Sequence, residues 1–313
     1  MDKKPLLILT GPTAVGKTAL SIALAKEIGG EIISADSMQV YRHMDIGSAK
    51  ITQQEMDGIP HYLIDCLEPE EEFNIYVFQQ MAKKAMHSIY ENHHIPILVG
   101  GTGFYIQSIL YDIQFSEEEN EEIRRKYEQL ANEKGAVYLH QELEKVDAVS
   151  ARLIHPNNIK RVIRALEFYD LHHYPISVHN EQEHQKESPY RFCYFVLTDC
   201  REVLYQRIEQ RVDEMMENGL LNEVKHLKEM GYDRSMVSMQ GLGYKELLAY
   251  LDGEISLEEA VYKIKRDTRH FAKRQLTWFR REKDVIWLDK SILGNDTSVL
   301  LKQIQNYCLK REI

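Results

Sequence analysis

Cysteine is scarce in this sequence, with four among 313 residues. None forms a Cys-x-x-Cys pair, and no spacing of cysteine and histidine resembles a zinc site. The sequence also offers little for a membrane, because the apolar run PLLILT at residues 5–10 is too short for the core of a signal peptide or for a membrane span. We therefore expect a cytoplasmic protein with reduced thiols and no membrane partner.

Positive charge is in short supply as well. Lysine and arginine number 39 against 49 aspartates and glutamates, which gives a net charge of −10. This balance argues mildly against a nucleic-acid partner, although local patches rather than the average decide binding. The length and the 43% hydrophobic content suffice for a core domain and a smaller second domain.

Buried strands alternate with helices in the first third of the chain. Residues 5–10 predict a first strand, Lys17–Ile28 carries apolar positions suited to a buried helix, and GGEIISADS predicts a short strand ending at Asp36. Residues 95–99 predict another buried strand, followed by glycines. This order predicts an α/β fold, a parallel sheet flanked by helices, with ligands at the carboxyl ends of its strands.

The composition changes near residue 116. Residues 116–188 have helical spacing with a Pro-Asn-Asn break, so they predict an all-helical insertion. The segment YRFCYFVLT predicts a return to the sheet, followed by long helices over 201–230 and 257–281 and a last strand, VIWLD. The predicted domains are a core of residues 1–115 and 189–313 and a helical insertion of residues 116–188.

A phosphate-binding loop follows the first predicted strand. Its spacing is Gly-x₄-Gly-Lys-Thr, and it consists of Gly11, Pro12, Thr13, Ala14, Val15, Gly16, Lys17 and Thr18. In such loops backbone N–H groups and the helix that follows attract phosphate, the lysine neutralises phosphate oxygens, and the threonine hydroxyl ligates Mg²⁺. The pattern predicts phosphate binding with Mg²⁺ at Thr18, but the loop alone does not identify the phosphate compound.

Asp36 and Thr102 follow two other predicted strands at the same edge of the sheet. A nucleotide hydrolase places a metal-binding aspartate at the end of another buried strand, whereas residues 95–99 end in GGTG. Asp36 has two interpretations: a helix cap, which DSMQ suits, or a proton acceptor beside the bound phosphate. Polar Ser37 and Gln39, and Thr102 between glycines, favour the proton acceptor.

Six motifs, in order, resemble those of the bacterial tRNA dimethylallyltransferases: GPTAVGKT, SADSMQVYRHMDIGSAK, VGGTGFY, HPNNIKRVIRALE, GLGYKE and AKRQLTWFRR. The likeness extends from the first strand to about Asp289. It implies a P-loop NTPase-like core and transfer of a dimethylallyl group from dimethylallyl diphosphate to the exocyclic amine of an adenosine. That adenosine lies immediately 3′ of the anticodon in tRNAs that read codons beginning with U. The loop Gly11–Thr18 would then hold a diphosphate leaving group rather than ATP.

The resemblance also implies catalytic roles. Asp36 would be the general base, and Thr102 would form a hydrogen bond with the target adenine. Lys17 and Arg211, with Mg²⁺, would stabilise the departing diphosphate. Arg211 has an alternative interpretation as a solvated charge on a helix.

Two basic segments are predicted to bind the anticodon stem-loop of the tRNA. In residues 263–283 basic and aromatic residues are interleaved, which suits phosphate contact and base stacking, or else a basic outer face whose aromatics pack inside. The second segment contains Arg161 and Arg164, one helical turn apart. The acidic residues 117–119 are expected to face away from the RNA. The implied tRNA contacts are Asp36, Ser37, Met38, Gln39, Thr102, Arg125, Lys160, Arg161, Val162, Ile163, Arg164, Lys273, Arg274, Gln275, Trp278 and Arg280.

Three other functions stay open. A small-molecule kinase would share the loop, the sheet and an acidic base, but would not need the basic and aromatic segment. A non-catalytic RNA-binding module would leave Asp36 and GGTG without a role. Transfer of the same allyl group to a free adenine nucleotide is disfavoured by the insertion and by the basic segment. A monomer is favoured, and no C-terminal zinc module is expected, because LKQIQNYCLKREI contains one cysteine.

Overall fold

The computed structural model describes residues 3–115 and 121–313, without the side chains of Glu121 and His184. These residues form two compact units. The core unit contains the chain up to Leu110 together with Pro189–Ile313, and the helical unit runs from Tyr111 to Ser188. Residue 116, the predicted start of the insertion, lies outside the described residues.

The strands of the core unit form one parallel sheet. They are β1 (Lys4–Thr10), β2 (Gly30–Ala35), β3 (His61–Tyr62), β4 (Ile95–Gly100), β5 (Tyr190–Thr198) and β6 (Val285–Asp289). Their order across the sheet is β3-β2-β4-β1-β5-β6. In β1, Leu6, Leu7, Ile8 and Leu9 are all fully buried although successive side chains point to opposite faces, so both faces are covered. The predicted α/β class is confirmed.

Helices of the core unit cover both faces of this sheet. In chain order the helices of both units are α1 (Lys17–Ile28), α2 (Gln53–Met56), α3 (Ile75–Glu91), α4 (Gly103–Leu110), α5 (Glu121–Lys134), α6 (Ala136–Val146), α7 (Ala148–Leu153), α8 (Ile159–His172), α9 (Ile176–Gln185), α10 (Arg201–Glu217), α11 (Leu220–Glu229), α12 (Tyr244–Leu251), α13 (Leu257–Phe279), α14 (Lys290–Leu293) and α15 (Thr297–Lys310). Helix α1 packs against β1, β2, β4 and α15, and α3 packs against β2, β4 and α4.

The order of the strands brings the ends of β1, β2 and β4 together. Strand β1 lies between β4 and β5, and the register pairs Thr10 with both Gly100 and Val196. Ala35, the last residue of β2, also pairs with Gly100. The phosphate loop after β1, Asp36 after β2 and Thr102 after β4 therefore meet at one edge of the sheet.

The helix predicted over residues 201–230 is in fact two helices. Helix α10 ends at Glu217, and Gly219, with a φ of 97°, is the N-cap of α11. Glycine adopts this left-handed conformation without strain. The apolar periodicity continues through the turn, with Leu220 and Val224 buried like Val212, and it therefore conceals the break.

The helical unit has an apolar core of its own. Leu139 and Leu143 of α6 pack with Val162 and Leu166 of α8. Helix α8 begins after His-Pro-Asn-Asn, the break that the sequence predicted. The Asp147 carboxylate joins α7 to α9, because it accepts hydrogen bonds from the backbone and hydroxyl groups of both Ser150 and Ser177. These donors hold the pKa of Asp147 below its usual range despite desolvation, which opposes them.

Candidate active site

The phosphate loop, residues Gly11–Thr18, connects β1 to α1 at the middle of the sheet. Gly11 and Gly16 have φ values of 148° and 97°. A Cβ atom at Gly11 would lie 2.3 Å from the carbonyl oxygen of Leu197 in β5, so the loop approaches β5 too closely for any larger residue. The first turn of α1 contains no acidic residue, and no side chain caps it. Its N-terminal N–H groups and dipole are therefore suited to an anion.

Lys17 is the half-buried cation of this loop. Its Nζ donates hydrogen bonds to the carbonyl oxygens of Gly11 and Pro12, at 3.0 and 2.9 Å. Burial lowers the pKa of Lys17 to about 8; the neighbouring charge of Arg211 adds to this effect, and Asp36 opposes it. A dianionic ligand here would supply the negative charge that the ammonium group lacks.

Asp36 lies in a turn directly after β2. Its Oδ1 accepts a hydrogen bond from the backbone N–H of Met38, at 2.8 Å. The next helix, α2, begins only at Gln53, so the helix-cap interpretation of Asp36 is wrong. The short turn instead holds the carboxylate beside the loop, since its charge acts on both Lys17 and Arg211.

Thr102 lies at the end of β4, next to the end of β2. Its backbone N–H donates to the carbonyl oxygen of Ala35 at 3.3 Å. A Cβ atom at Gly100 would lie 2.2 Å from that same oxygen, so only glycine permits this approach. The close contact fixes Thr102 relative to Asp36.

Arg211 of α10 completes the charged group. Its guanidinium donates to the Thr13 hydroxyl at 3.5 Å. Burial lowers its pKa, while Asp36 and Glu214 oppose that change. The alternative of a solvated helix charge is therefore wrong for Arg211.

Two adjacent cavities contain these residues. The first has a volume of about 460 Å³ and is lined by Lys17, Thr18, Arg207 and other polar groups. The second has a volume of about 450 Å³ and includes Phe73 and Tyr105 in its wall. Both cavities are lined by Thr13, Ala14, Asp36, Ser48, Arg211 and Phe271. A polar chamber and a more apolar chamber therefore share a wall that carries one carboxylate and one guanidinium group.

A loop over residues 36–50 forms part of both cavities and is held by two charged side chains that the sequence analysis did not identify. Glu223 of α11 accepts hydrogen bonds from the backbone N–H groups of Asp45, Ile46 and Gly47, at 3.0, 2.7 and 3.0 Å. The side chain of the buried Lys50 donates to the carbonyl oxygen of Tyr41 and to the carboxylates of Asp45 and Asp65. No local pattern around Glu223 indicates this contact, because its partners lie far away in sequence.

The motif GLGYKE packs against the same loop. The hydroxyl of the fully buried Tyr244 donates to Glu223 at 2.8 Å, and its ring lies against Gly47, where a Cβ atom would approach it to 2.5 Å. A Cβ atom at Gly241 would similarly collide with Met38. This motif therefore supports the loop that carries Asp36.

Helix α13 presents one basic side and one buried side. Lys273, Arg274 and Arg280 are exposed, and Arg274 also lines the second cavity. The half-buried Trp278 packs on Gly103, where a Cβ atom would lie 2.2 Å from the indole ring. Gln275 is only 6% exposed, and its amide forms hydrogen bonds within the protein, so the predicted tRNA contact at this position stays a prediction that these contacts do not favour.

The predicted RNA-binding segment of α8, like α13, contains both exposed basic residues and buried residues. Lys160 and Arg161 are exposed, whereas Val162 and Ile163 lie in the apolar core, so contacts of those two side chains with tRNA are wrong. Arg164 pairs with the fully buried Glu167 at 3.4 Å, and Arg124 pairs with the same oxygen at 3.3 Å. Arg125 of α5 is exposed. Residues 117–119, predicted to face away from RNA, lie outside the described residues.

Comparison with known proteins identifies the family. Residues 39–282 match the IPP transferase family model. The chain belongs to the IPP transferase family. The tRNA dimethylallyltransferase of Lachnoclostridium phytofermentans is 61% identical over 96% of this chain and 97% of its own length. That of Acetivibrio thermocellus is 50% identical over 96% of each chain. The predicted family and the predicted class of enzyme, a transferase, are confirmed.

Solved structures of IPP transferases agree with this fold. The full-length tRNA isopentenylpyrophosphate transferase of Bacillus halodurans is 44% identical, with a TM-score of 0.74, over 99% of this chain and 97% of that protein. A eukaryotic dimethylallyltransferase that acts on tRNA is 29% identical, with a TM-score of 0.80, over 98% of this chain and 80% of the other. Within residues 3–115 and 121–313, no helix is both long and apolar enough to cross a bilayer.

Proposed function

We propose that this chain transfers a dimethylallyl group from dimethylallyl diphosphate to the exocyclic amine of the adenosine immediately 3′ of the anticodon. The proposed acceptors are tRNAs that read codons beginning with U. The observation that carries the proposal is the wall shared by the two cavities, where Asp36 and Arg211 stand between a phosphate site and a more apolar chamber. The relatives' function as tRNA dimethylallyltransferases supports the same substrates.

The first cavity is proposed to hold the diphosphate. The N–H groups of Ala14–Thr18 in the phosphate loop, the Lys17 ammonium group and the Arg211 guanidinium would stabilise its charge as the allylic C–O bond breaks and the electron pair leaves with the diphosphate. The hydroxyl of Thr18 and the carboxylate of Asp36 line this cavity, and such oxygen donors suit Mg²⁺. When bound there, Mg²⁺ would neutralise part of the diphosphate charge. No group of three or more acidic, histidine or cysteine side chains among the described residues is placed to hold a metal alone, so phosphate oxygens and water would complete its coordination.

The second cavity is proposed to hold the allyl chain and the acceptor adenine. Phe73, Tyr105 and Phe271 offer surface for both groups. As the new C–N bond forms, the amine loses a proton, and the Asp36 carboxylate is placed to accept it. Thr102, in the wall of the same cavity, would form a hydrogen bond with the adenine. An adenine stacked in an anticodon loop must leave its stack to enter, at a cost of about a few kcal/mol.

RNA binding is proposed for the exposed cations of α13 and α8. Lys273, Arg274 and Arg280 would contact the phosphate backbone, and Arg274 connects that surface to the acceptor cavity. On the helical unit Lys160 and Arg161 would contribute further phosphate contacts. A free nucleotide would have no use for these cations, which favours tRNA as the acceptor.

An allyl-transfer assay tests the proposed function. Labelled dimethylallyl diphosphate with Mg²⁺ is incubated with tRNA, an isolated anticodon stem-loop, or AMP, and ATP is supplied separately as a phosphoryl donor. Label is expected on the adenosine 3′ of the anticodon in tRNA and in the stem-loop. Label on AMP without label on tRNA would indicate transfer to a free nucleotide, and phosphoryl transfer from ATP would indicate a kinase.

A further inference from the structure

Gln275 of α13 has the least exposed polar side chain of the AKRQLTWFRR motif, and it lies between the two halves of the candidate active site. Its Oε1 accepts a hydrogen bond from the backbone N–H of Thr13 in the phosphate loop, at 2.9 Å. Its Nε2 donates to the carbonyl oxygen of Gly101, at 3.0 Å. One amide group therefore connects the loop after β1 to the turn after β4.

The orientation of this amide is determined by its two partners. The Thr13 N–H can only donate and the Gly101 carbonyl can only accept, so exchanging the oxygen and nitrogen of Gln275 would lose both hydrogen bonds. The fit is also close, because a Cβ atom at Gly101 would lie 2.1 Å from Nε2. A shorter amide on α13 could not reach both loops at once.

Thr13 and Gly101, the two hydrogen-bond partners of Gln275, are each next to a residue with a proposed role in the transfer reaction. The Thr13 hydroxyl accepts a hydrogen bond from Arg211, and Thr13 lines both cavities. Gly101 directly precedes Thr102, the proposed partner of the adenine. The same helix exposes Lys273 and Arg274 to solvent directly before the buried Gln275 in sequence. Helix α13 therefore reaches from the RNA-facing surface to the diphosphate loop.

We propose that Gln275 is a positioning residue that sets the phosphate loop relative to Thr102 and so aligns the diphosphate with the acceptor. This inference rests on the proposed function. It assigns Gln275 no contact with RNA, because both of its polar atoms are engaged inside the core unit. Misplacement of the loop by a fraction of an ångström would weaken diphosphate binding and slow transfer.

Three variants test this role. Gln275→Leu removes both hydrogen bonds with little change in volume, and Gln275→Asn retains the amide but shortens its reach. Gln305→Leu is the matched control, because Gln305 is a partly exposed glutamine of α15 whose amide also spans two elements, donating to Glu27 of α1. The measurements are the affinity for inorganic diphosphate with Mg²⁺, the affinity for tRNA, KM for dimethylallyl diphosphate, kcat and Tm.

Both Gln275 variants are expected to lose about tenfold in diphosphate affinity and about tenfold or more in kcat, with tRNA affinity within about twofold of the parent protein. The control is expected to leave all of these values unchanged. A loss of tRNA affinity with normal diphosphate binding would overturn the proposal and make Gln275 an RNA contact. Unchanged values in all measurements, or a failure of both Gln275 variants to fold, would overturn it too. Absence of transfer by the parent protein would refute the proposed function instead, and the diphosphate measurements would still decide the role of Gln275.

Discussion

Asp36 is already the acceptor of a hydrogen bond from the Met38 N–H, and this contact determines which substitution tests its catalytic role. In Asp36→Asn the side-chain oxygen still accepts that hydrogen bond, so the turn is retained, but an amide cannot take the proton from the adenine. We expect kcat for allyl transfer to fall by a factor of about 10²–10⁴. The affinity for tRNA should stay within about twofold, measured by equilibrium binding.

The control for this substitution is Asp296→Asn. Asp296 makes the same local contact as Asp36, because its Oδ1 accepts a hydrogen bond from the backbone N–H two residues later, but it lies at the start of α15, away from both cavities. Its variant should keep normal kcat. A normal kcat in Asp36→Asn would place the proton acceptor elsewhere, whereas a parallel loss of tRNA affinity would make Asp36 a structural residue.

The lowered pKa of Lys17 predicts that binding of dimethylallyl diphosphate depends on pH. Its pKa of about 8 means that the free protein loses the ammonium charge as the pH rises through that value. The affinity for dimethylallyl diphosphate, and kcat/KM for it, should therefore fall above about pH 8. In Lys17→Arg the side chain stays charged at every pH tested, so this decline should vanish even if the affinity itself is lower. A decline that persists in Lys17→Arg would show that another group titrates.

The effect of Lys17 on the free energy of unfolding has the opposite pH dependence, so the expected decline in donor binding is not a result of unfolding. In the unfolded chain Lys17 keeps its proton up to about its ordinary pKa of 10.5, whereas the folded chain releases it near 8. Between these values the unfolded state binds more protons, so the contribution of Lys17 to the free energy of unfolding rises with pH. A rise in pH through the range where donor binding weakens therefore increases the stability through Lys17 and does not promote unfolding.

At the scale of the secondary-structure elements, α11 holds the loop that carries Asp36. Glu223→Ala would leave three backbone N–H groups and the Tyr244 hydroxyl without their acceptor. We expect the free energy of unfolding to fall by about 1–3 kcal/mol, measured by urea denaturation. Glu229→Ala, at an exposed position of the same helix, should change it by less than about 0.5 kcal/mol. Equal effects of the two substitutions would mean that the hydrogen bonds of Glu223 contribute nothing to stability.

The sequence predicted the elements whose signals are local. Continuous apolar runs identified β1, β4 and β5, and the glycine spacing placed the phosphate loop between β1 and α1. The convergence of Asp36 and Thr102 on the loop was expected from the rule that ligands bind at the carboxyl ends of parallel strands, whereas the strand order itself was not predicted. The break at Gly219 was missed, because one glycine at left-handed φ interrupts the chain without interrupting the apolar pattern.

Contacts between distant residues could not be predicted in this way. Glu223 and Gln275 lie on helices and carry polar side chains that look solvated from their neighbours alone. Their roles depend on backbone N–H groups more than 170 residues away, which only the folded core unit brings near. Burial of Val162 and Ile163 likewise shows that a motif residue between two arginines can belong to the core rather than to the RNA surface.

At the scale of the whole molecule, an acidic protein must concentrate its available cations where RNA binds. Several basic residues of α13 are neutralised within the core unit: Lys263 pairs with Glu259, Lys265 with Asp213, and Arg269 with Glu209. Lys273 and Arg274 lie further along the same helix, Arg280 directly follows its end, and all three are exposed. The first half of α13 therefore contributes to packing against α10, and its second half supplies the positive surface.

The first turn of α8 provides the corresponding test on the helical unit. Lys160 and Arg161 lie at a helix N-terminus that contains no acidic residue, where cations are unfavourable for the helix dipole and the N–H groups already attract anions. Their position is therefore better explained by phosphate binding than by helix stability. Replacing both with alanine should weaken tRNA binding and reduce the slope of log affinity against log salt by about 1–2, with no loss of Tm.

Arg164→Ala should differ from the Lys160 and Arg161 double variant, because it should lower the stability rather than the salt slope. Its partner Glu167 is fully buried, so losing the arginine should lower the free energy of unfolding by about 1–2 kcal/mol, the effect being limited because Arg124 still contacts the same oxygen. Lys145→Ala, which removes an exposed ion pair of α6, is the control for charge alone and should change neither the salt slope nor the stability.

A salt slope that stays unchanged in the Lys160 and Arg161 double variant would exclude α8 from the RNA interface. The tRNA would then bind through α13 and the core unit alone, and the helical unit would need another role.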